Sequence, residues 1–68
     1  MGDHGLTNQI KVHRAKHDLT QAELADRVGV TRKTINTVET GRFVPSTILA
    51  LKLARAFGVT VEELFDME

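Results

Sequence analysis

The chain contains no cysteine, which excludes a disulfide framework, a thiolate metal site and a thiol nucleophile, and fits a reducing compartment. Nor does it contain an apolar run near the roughly 18 residues of a membrane-spanning helix. The opening Met1-Gly2-Asp3-His4-Gly5-Leu6 lacks the apolar stretch of a signal peptide, and Leu6 stands where a myristoylation motif needs Ser or Thr. There is no Ser/His/Asp constellation, no glycine-rich phosphate loop and no deep core to host paired carboxylates, so the reading is not an enzyme and requires no cofactor. Net charge is missing too, with nine Lys and Arg against nine Asp and Glu. Taken whole, that balance argues against a phosphate-rich partner.

The charge is unevenly placed. Glu62, Glu63, Asp66 and Glu68 put four of the nine acids into the last seven residues, leaving residues 1–61 with nine basic groups and five acidic ones. A basic body thus carries an acidic tail. With 68 residues, 41% of them apolar, the chain buries only about 60% of its unfolded surface and supports one core. The expectation is a flexible N-terminal segment over residues 1–7 and a single domain over 8–68.

Helix punctuation recurs at short intervals and almost nothing reads with period two, which predicts an all-α, five-helix bundle. A first helix opens after Thr7 or Asn8 and runs to about His17, stopped by Asp18. Thr20 caps the second, with Glu23 completing a capping box and Gly29 ending it. Thr31 caps a third that runs to Thr40 before Gly41. The only proline, Pro45, precedes Ser46, the cap of a fourth helix ending at Phe57-Gly58. Thr60 and Glu63 repeat the box for a short fifth helix, from Val61 to about Asp66. The core falls to Leu24, Ala25 and Val28, to Ile35 and Val38, and to Leu49, Ala50, Leu53, Ala54 and Phe57. On the first helix the positions aligned with Ile10 are His13, Arg14 and His17, an unusually polar inner face.

The informative segment runs from Thr20 to Glu39. With Gln21 as the first position of a helix-turn-helix, the fifth is Ala25, the ninth Gly29, the fifteenth Ile35 and the eighteenth Val38. Ala25 lets two crossing helices approach, Gly29 supplies the positive φ of the turn, and Ile35 and Val38 anchor the second helix to the core. The polar side of that second helix is left facing outward, as a recognition helix is presented to a major groove.

Over residues 8–66 the sequence resembles the Xre/Cro/C1-type helix-turn-helix family, the lambda repressor-like DNA-binding domains. The landmarks are Leu19-Thr20-Gln21, Glu23-Leu24-Ala25, Gly29-Val30-Thr31, Thr34-Ile35, Glu39-x-Gly41-Arg42, Pro45-Ser46, Leu53-Ala54 and Phe57-Gly58-Val59. The resemblance implies a cytoplasmic, nucleoid-associated protein of prokaryotic or phage origin that binds double-stranded DNA and represses transcription. It places Gln21 on the DNA backbone, Thr31, Arg32, Lys33 and Thr37 at the bases, Asn36 and Thr40 beside them, and Arg42 on phosphate. It also implies that Arg14 and Glu39 pair as scaffold, linking the first helix to the recognition helix.

His13 departs from the family, which usually has a large aliphatic residue there. His13 and His17 stand four apart, the spacing of a two-point metal site. Only Asp18 or His4 stands ready to complete such a site, so hydrogen-bonded imidazoles are preferred and no metal is assigned. Ile48 and Leu51 point away from the Leu53 face of the fourth helix, and Val61, Leu64, Phe65 and Met67 add a second apolar patch. Leu64 and Val61 suit packing within the chain, while Ile48, Phe65 and Met67 suit a symmetric homodimer on a palindromic site. The alternative function is a protein-interaction module, such as an antitoxin, whose C-terminal patch or acidic tail binds a partner protein.

Overall fold

The computed structural model describes residues 5–68. Five helices follow in the order α1 (Ile10–Lys16), α2 (Gln21–Val28), α3 (Arg32–Glu39), α4 (Thr47–Phe57) and α5 (Val61–Leu64). Two short strands, β1 (Leu6–Asn8) and β2 (Phe65–Met67), bracket them as an antiparallel ribbon. The register sets Leu6 opposite Met67, Thr7 opposite Asp66 and Asn8 opposite Phe65.

Capping chemistry starts four of the five helices. The Thr20, Thr31, Ser46 and Thr60 hydroxyls each accept from the backbone N–H three residues on, which occupies a donor that the first helical turn leaves free. At Thr20 and Thr60 the glutamate three positions later returns the bond, with Glu23 accepting from the Thr20 N–H at 2.9 Å and Glu63 from the Thr60 N–H at 2.8 Å. The turn between α2 and α3 depends on Gly29, whose φ of +75° lies in the left-handed region. A Cβ there would meet nothing within 4 Å, so alanine would be strained by its backbone alone, at a cost of about 1–2 kcal/mol.

The core is one cluster drawn from every helix and from β2. Ile10, Leu24, Ile35, Leu53 and Leu64 have no exposed surface, and Ala25 lies buried between them. Truncating a side chain such as Leu53 to alanine costs about 2–5 kcal/mol, a large part of the stability of so small a domain.

The ends of the chain differ from expectation. Leu6 and Thr7, expected in a flexible segment over 1–7, belong to β1; residues 1–4 of that segment lie outside the described residues. The fifth helix stops at Leu64 instead of continuing to Asp66, because Phe65 turns to extended backbone (φ −121°, ψ 144°) and begins β2. That turn carries the Phe65 side chain inward, leaving it 8% exposed. Phe65 is therefore a core residue, and its expected place in a dimer interface is corrected. The ribbon is closed by Gln9 N–H donating to the Leu64 carbonyl at 2.9 Å.

The boxes make stability depend on pH. Hydrogen bonds from the Thr20 backbone and hydroxyl hold the Glu23 carboxyl below the ordinary carboxylate range, and Thr60 does the same for Glu63. Carboxylates with lowered folded pKa values favour the fold above their unfolded pKa and lose that contribution as pH falls through the folded value. Urea midpoints should therefore begin to fall below about pH 5, and a Glu23→Gln, Glu63→Gln double variant should show a shallower acid decline. Thr20→Ala should lower stability by about 1 kcal/mol, read as a drop of about 4–8 °C in melting temperature.

Candidate nucleic-acid interface

The exposed face of α3 is built from its first turn onward. Thr31 closes the turn after Gly29, and Arg32 and Lys33 follow as the first two residues of the helix, both exposed. Cations at the positive end of a helix dipole oppose its stability by a few tenths of a kcal/mol. No acidic residue shares that first turn, and among the described residues neither Arg32 nor Lys33 forms an ion pair. Neither cation is therefore tied into the fold by an ion pair.

Gln21, at the start of α2, reaches across to α3, its Nε2 donating to Asn36 Oδ1 at 3.3 Å. The Gln21 oxygen and the Asn36 nitrogen have no hydrogen-bond partner among the described residues, so the two amides form one acceptor–donor unit spanning both helices. Arg42 is exposed just beyond Gly41, where the chain leaves α3, and its backbone N–H donates to the Thr37 carbonyl at 2.9 Å.

The threonines play a narrower part than their hydroxyls suggest. The Thr37 hydroxyl donates to the Thr34 carbonyl at 2.9 Å, and the Thr40 hydroxyl donates to the Asn36 carbonyl at 2.8 Å. The Thr31 hydroxyl accepts from the Thr34 N–H and lies 3.1 Å from the Thr34 hydroxyl. With their hydroxyl protons used internally, Thr37 and Thr40 offer a ligand the methyl group and an acceptor oxygen. The strong outward hydrogen bonders are Arg32, Lys33, Arg42 and the Gln21–Asn36 unit.

Behind this face Arg14 and Glu39 form a two-point pair: Nε donates to Oε2 and Nη2 to Oε1, each at 2.9 Å. Their side chains are 17% and 9% exposed, and Arg14 Nη1 also donates to the Leu19 carbonyl at 3.0 Å. The hydrogen bond to Glu39 raises the Arg14 pKa above its ordinary value. Where hydrogen-bonded imidazoles were expected, the His13 and His17 rings make no side-chain hydrogen bond among the described residues and instead pack on Phe57, with ring centroids 5.4 Å from it in each case. Among the described residues no group of three His, Asp or Glu side chains is placed to hold a metal; His4 lies outside them.

Sequence reasoning named Asn8 only as a residue at the start of the first helix and overlooked its tie to α3. Its Oδ1 accepts from the Ile10 N–H at 3.1 Å, while its Nδ2 donates to the carbonyls of Val38 and Glu39, each at 3.2 Å. An asparagine just before a helix announces the first bond. Nothing in the local sequence announces carbonyls thirty residues away.

This arrangement defines a helix-turn-helix whose second helix is pinned from behind and charged in front. The chain belongs to the helix-turn-helix family of Xre/Cro/C1 type, a family of DNA-binding transcriptional regulators and not of enzymes, whose model matches residues 10–64. An HTH-type transcriptional regulator of Methanocaldococcus jannaschii is 46% identical over 63 residues, covering 93% of this chain and 96% of the relative. The HTH-type transcriptional regulator YgzD of Bacillus subtilis is 41% identical over 63 residues, with the same coverage of each chain. Among solved structures, the P22 c2 repressor in complex with a synthetic operator aligns with a TM-score of 0.76 and 28% identity, over 79% of this chain and 82% of that one. The restriction-modification controller protein C.AhdI of Aeromonas hydrophila aligns with a TM-score of 0.75 and 31% identity, over 81% of this chain and 83% of that one.

Because Arg14 and Glu39 face each other and not solvent, Glu39→Gln should act on stability first. The amide keeps one acceptor for Arg14 but removes the charge, for an expected loss of about 1–3 kcal/mol. Calorimetry should show a lower melting temperature with base preference retained. An unchanged melting temperature with altered preference would instead place Glu39 among the base contacts.

Proposed function

We propose that this protein is a sequence-specific, double-stranded DNA-binding repressor, acting as a homodimer on a palindromic operator in the prokaryotic cytoplasm. The observation that carries the proposal is the unpaired cationic first turn of α3, Arg32 and Lys33, presented outward beside the Gln21–Asn36 unit. In this reading Arg32 and Lys33 enter the major groove and donate to guanine O6 and N7. The Thr31 and Thr37 methyl groups meet thymine methyls, while Asn36 and Thr40 flank them. Gln21 and Arg42 hold phosphates on either side and set the register. Support comes from the P22 c2 repressor, a structural relative solved on a synthetic operator.

The dimer reading rests on exposed apolar surface. Ile48 is 68% exposed and Met67 81% exposed, and Phe43, Val44 and Leu51 are open on the same segment around the start of α4. Leu6, Val44, Pro45 and Leu51 line a concavity of about 220 Å³ beside the ribbon. A second copy seated there would remove this surface from water and set two recognition helices about 34 Å apart, one turn of DNA.

Selection of bound duplexes from a random library, followed by titration at two salt concentrations, should yield a palindromic site whose affinity falls steeply with salt. Lys33→Ala should relax preference at one position per half-site, with a loss of about 1–3 kcal/mol. Arg42→Ala should weaken all sequences alike and reduce the salt slope by about one. Sedimentation should show Ile48→Asp and Met67→Asp shifting a dimer toward monomer. If Lys33→Ala and Arg42→Ala leave DNA affinity untouched while Met67→Asp abolishes a complex with another protein, the interaction-module reading replaces this one.

A further inference from the structure

Glu39 is held at two points by two different elements. Its carboxylate is gripped by Arg14 of α1, and its carbonyl, with that of Val38, accepts from Asn8 of β1. The orientation of the Asn8 amide is fixed by chemistry, since only its nitrogen can serve two carbonyls and only its oxygen can serve the Ile10 N–H. The last turn of any helix leaves carbonyls without an intrahelical partner. At Val38 the vacancy is shared with the Gly41 N–H at 3.1 Å; at Glu39 the donor among the described residues is Asn8.

Ile35 and Val38, the core anchors of α3, lie three residues apart, so their grip spans about 4.5 Å of a helix about 12 Å long. Two anchors so close together locate the helix but resist rocking poorly. A rock about them moves Arg32 and Lys33 at one end and Arg42 at the other. Base reading needs side chains held to within about 0.5 Å and 10–20°.

We infer that Asn8 is a positioning residue for DNA reading: by tying the last carbonyls of α3 to β1 it fixes the tilt at which the helix is presented. The inference rests on the reading of α3 as the recognition helix. It departs from a purely structural role because Asn8 is only half-buried. Without the Asn8 amide the Val38 carbonyl keeps the Gly41 N–H, and the part-buried Glu39 carbonyl is left to water, which does not hold the helix in place.

Two variants separate the two ends of the amide. Asn8→Asp keeps the acceptor for Ile10 and loses both donors; Asn8→Ala loses all three bonds. Wild type and variants are titrated on the library-selected duplex and on an unrelated duplex of equal length, at a temperature where circular dichroism shows each fully folded. The expected result is a loss of about tenfold on the selected duplex for both variants, with affinity for the unrelated duplex kept within about twofold. Amide exchange should quicken in the last turn of α3 and stay unchanged in α2. Equal weakening on both duplexes, unchanged discrimination, or equal opening of α2 and α3 would each overturn the inference. If wild type itself selects no sequence, the recognition-helix reading fails first, and that failure is visible before any variant is made.

Discussion

An eight-residue helix cannot hold itself. Nucleating one costs more than two turns of hydrogen bonds return in water, so α3 exists because the rest of the chain supplies its boundary conditions. Thr31 and Gly29 fix its start, Ile35 and Val38 its inner stripe, Arg14 and Asn8 its end. The other helices serve largely to present these few groups at the right places. The same constraint explains why the outer face can afford two cations at the positive end of the dipole, since the tethers behind offset that local cost.

The charge distribution follows this division. A net charge of zero is an average over a basic body, with cations on α1 to α4 and at Arg42, and an acidic end at α5 and β2. Glu63 belongs to that acidic end and also closes a capping box, so part of the acidity shapes the fold directly.

Much of this was legible in the sequence wherever a single residue type has one local job. Thr20 with Glu23, Ser46 after Pro45, and Thr60 with Glu63 mark helix starts by the chemistry of capping, and Gly29 marks the turn through its backbone freedom. The pairing of Arg14 with Glu39 needed the helical wheel together with the family resemblance. The ribbon was not legible, because Leu6–Asn8 and Phe65–Met67 are too short to show a period of two and lie at opposite ends of the chain. Projecting the fifth helix through Asp66 put Phe65 on the wrong side, since extended backbone turns a side chain that a helix would have kept outside. The tie from Asn8 to α3 was missed for a related reason: its partners are backbone carbonyls, which carry no residue signature.

The ribbon also sets an order of events during synthesis. Asn8 precedes in the chain the strand that seats β1 in register, which runs from Phe65 to Met67. Helices α2 and α3 can pack as they emerge, since their contacts are close in sequence. The tie from Asn8 to Glu39 waits until Phe65 has been made, so a nascent chain carries the cationic helix before it carries the clamp. The helix is thus made long before the contact that ties down its last turn.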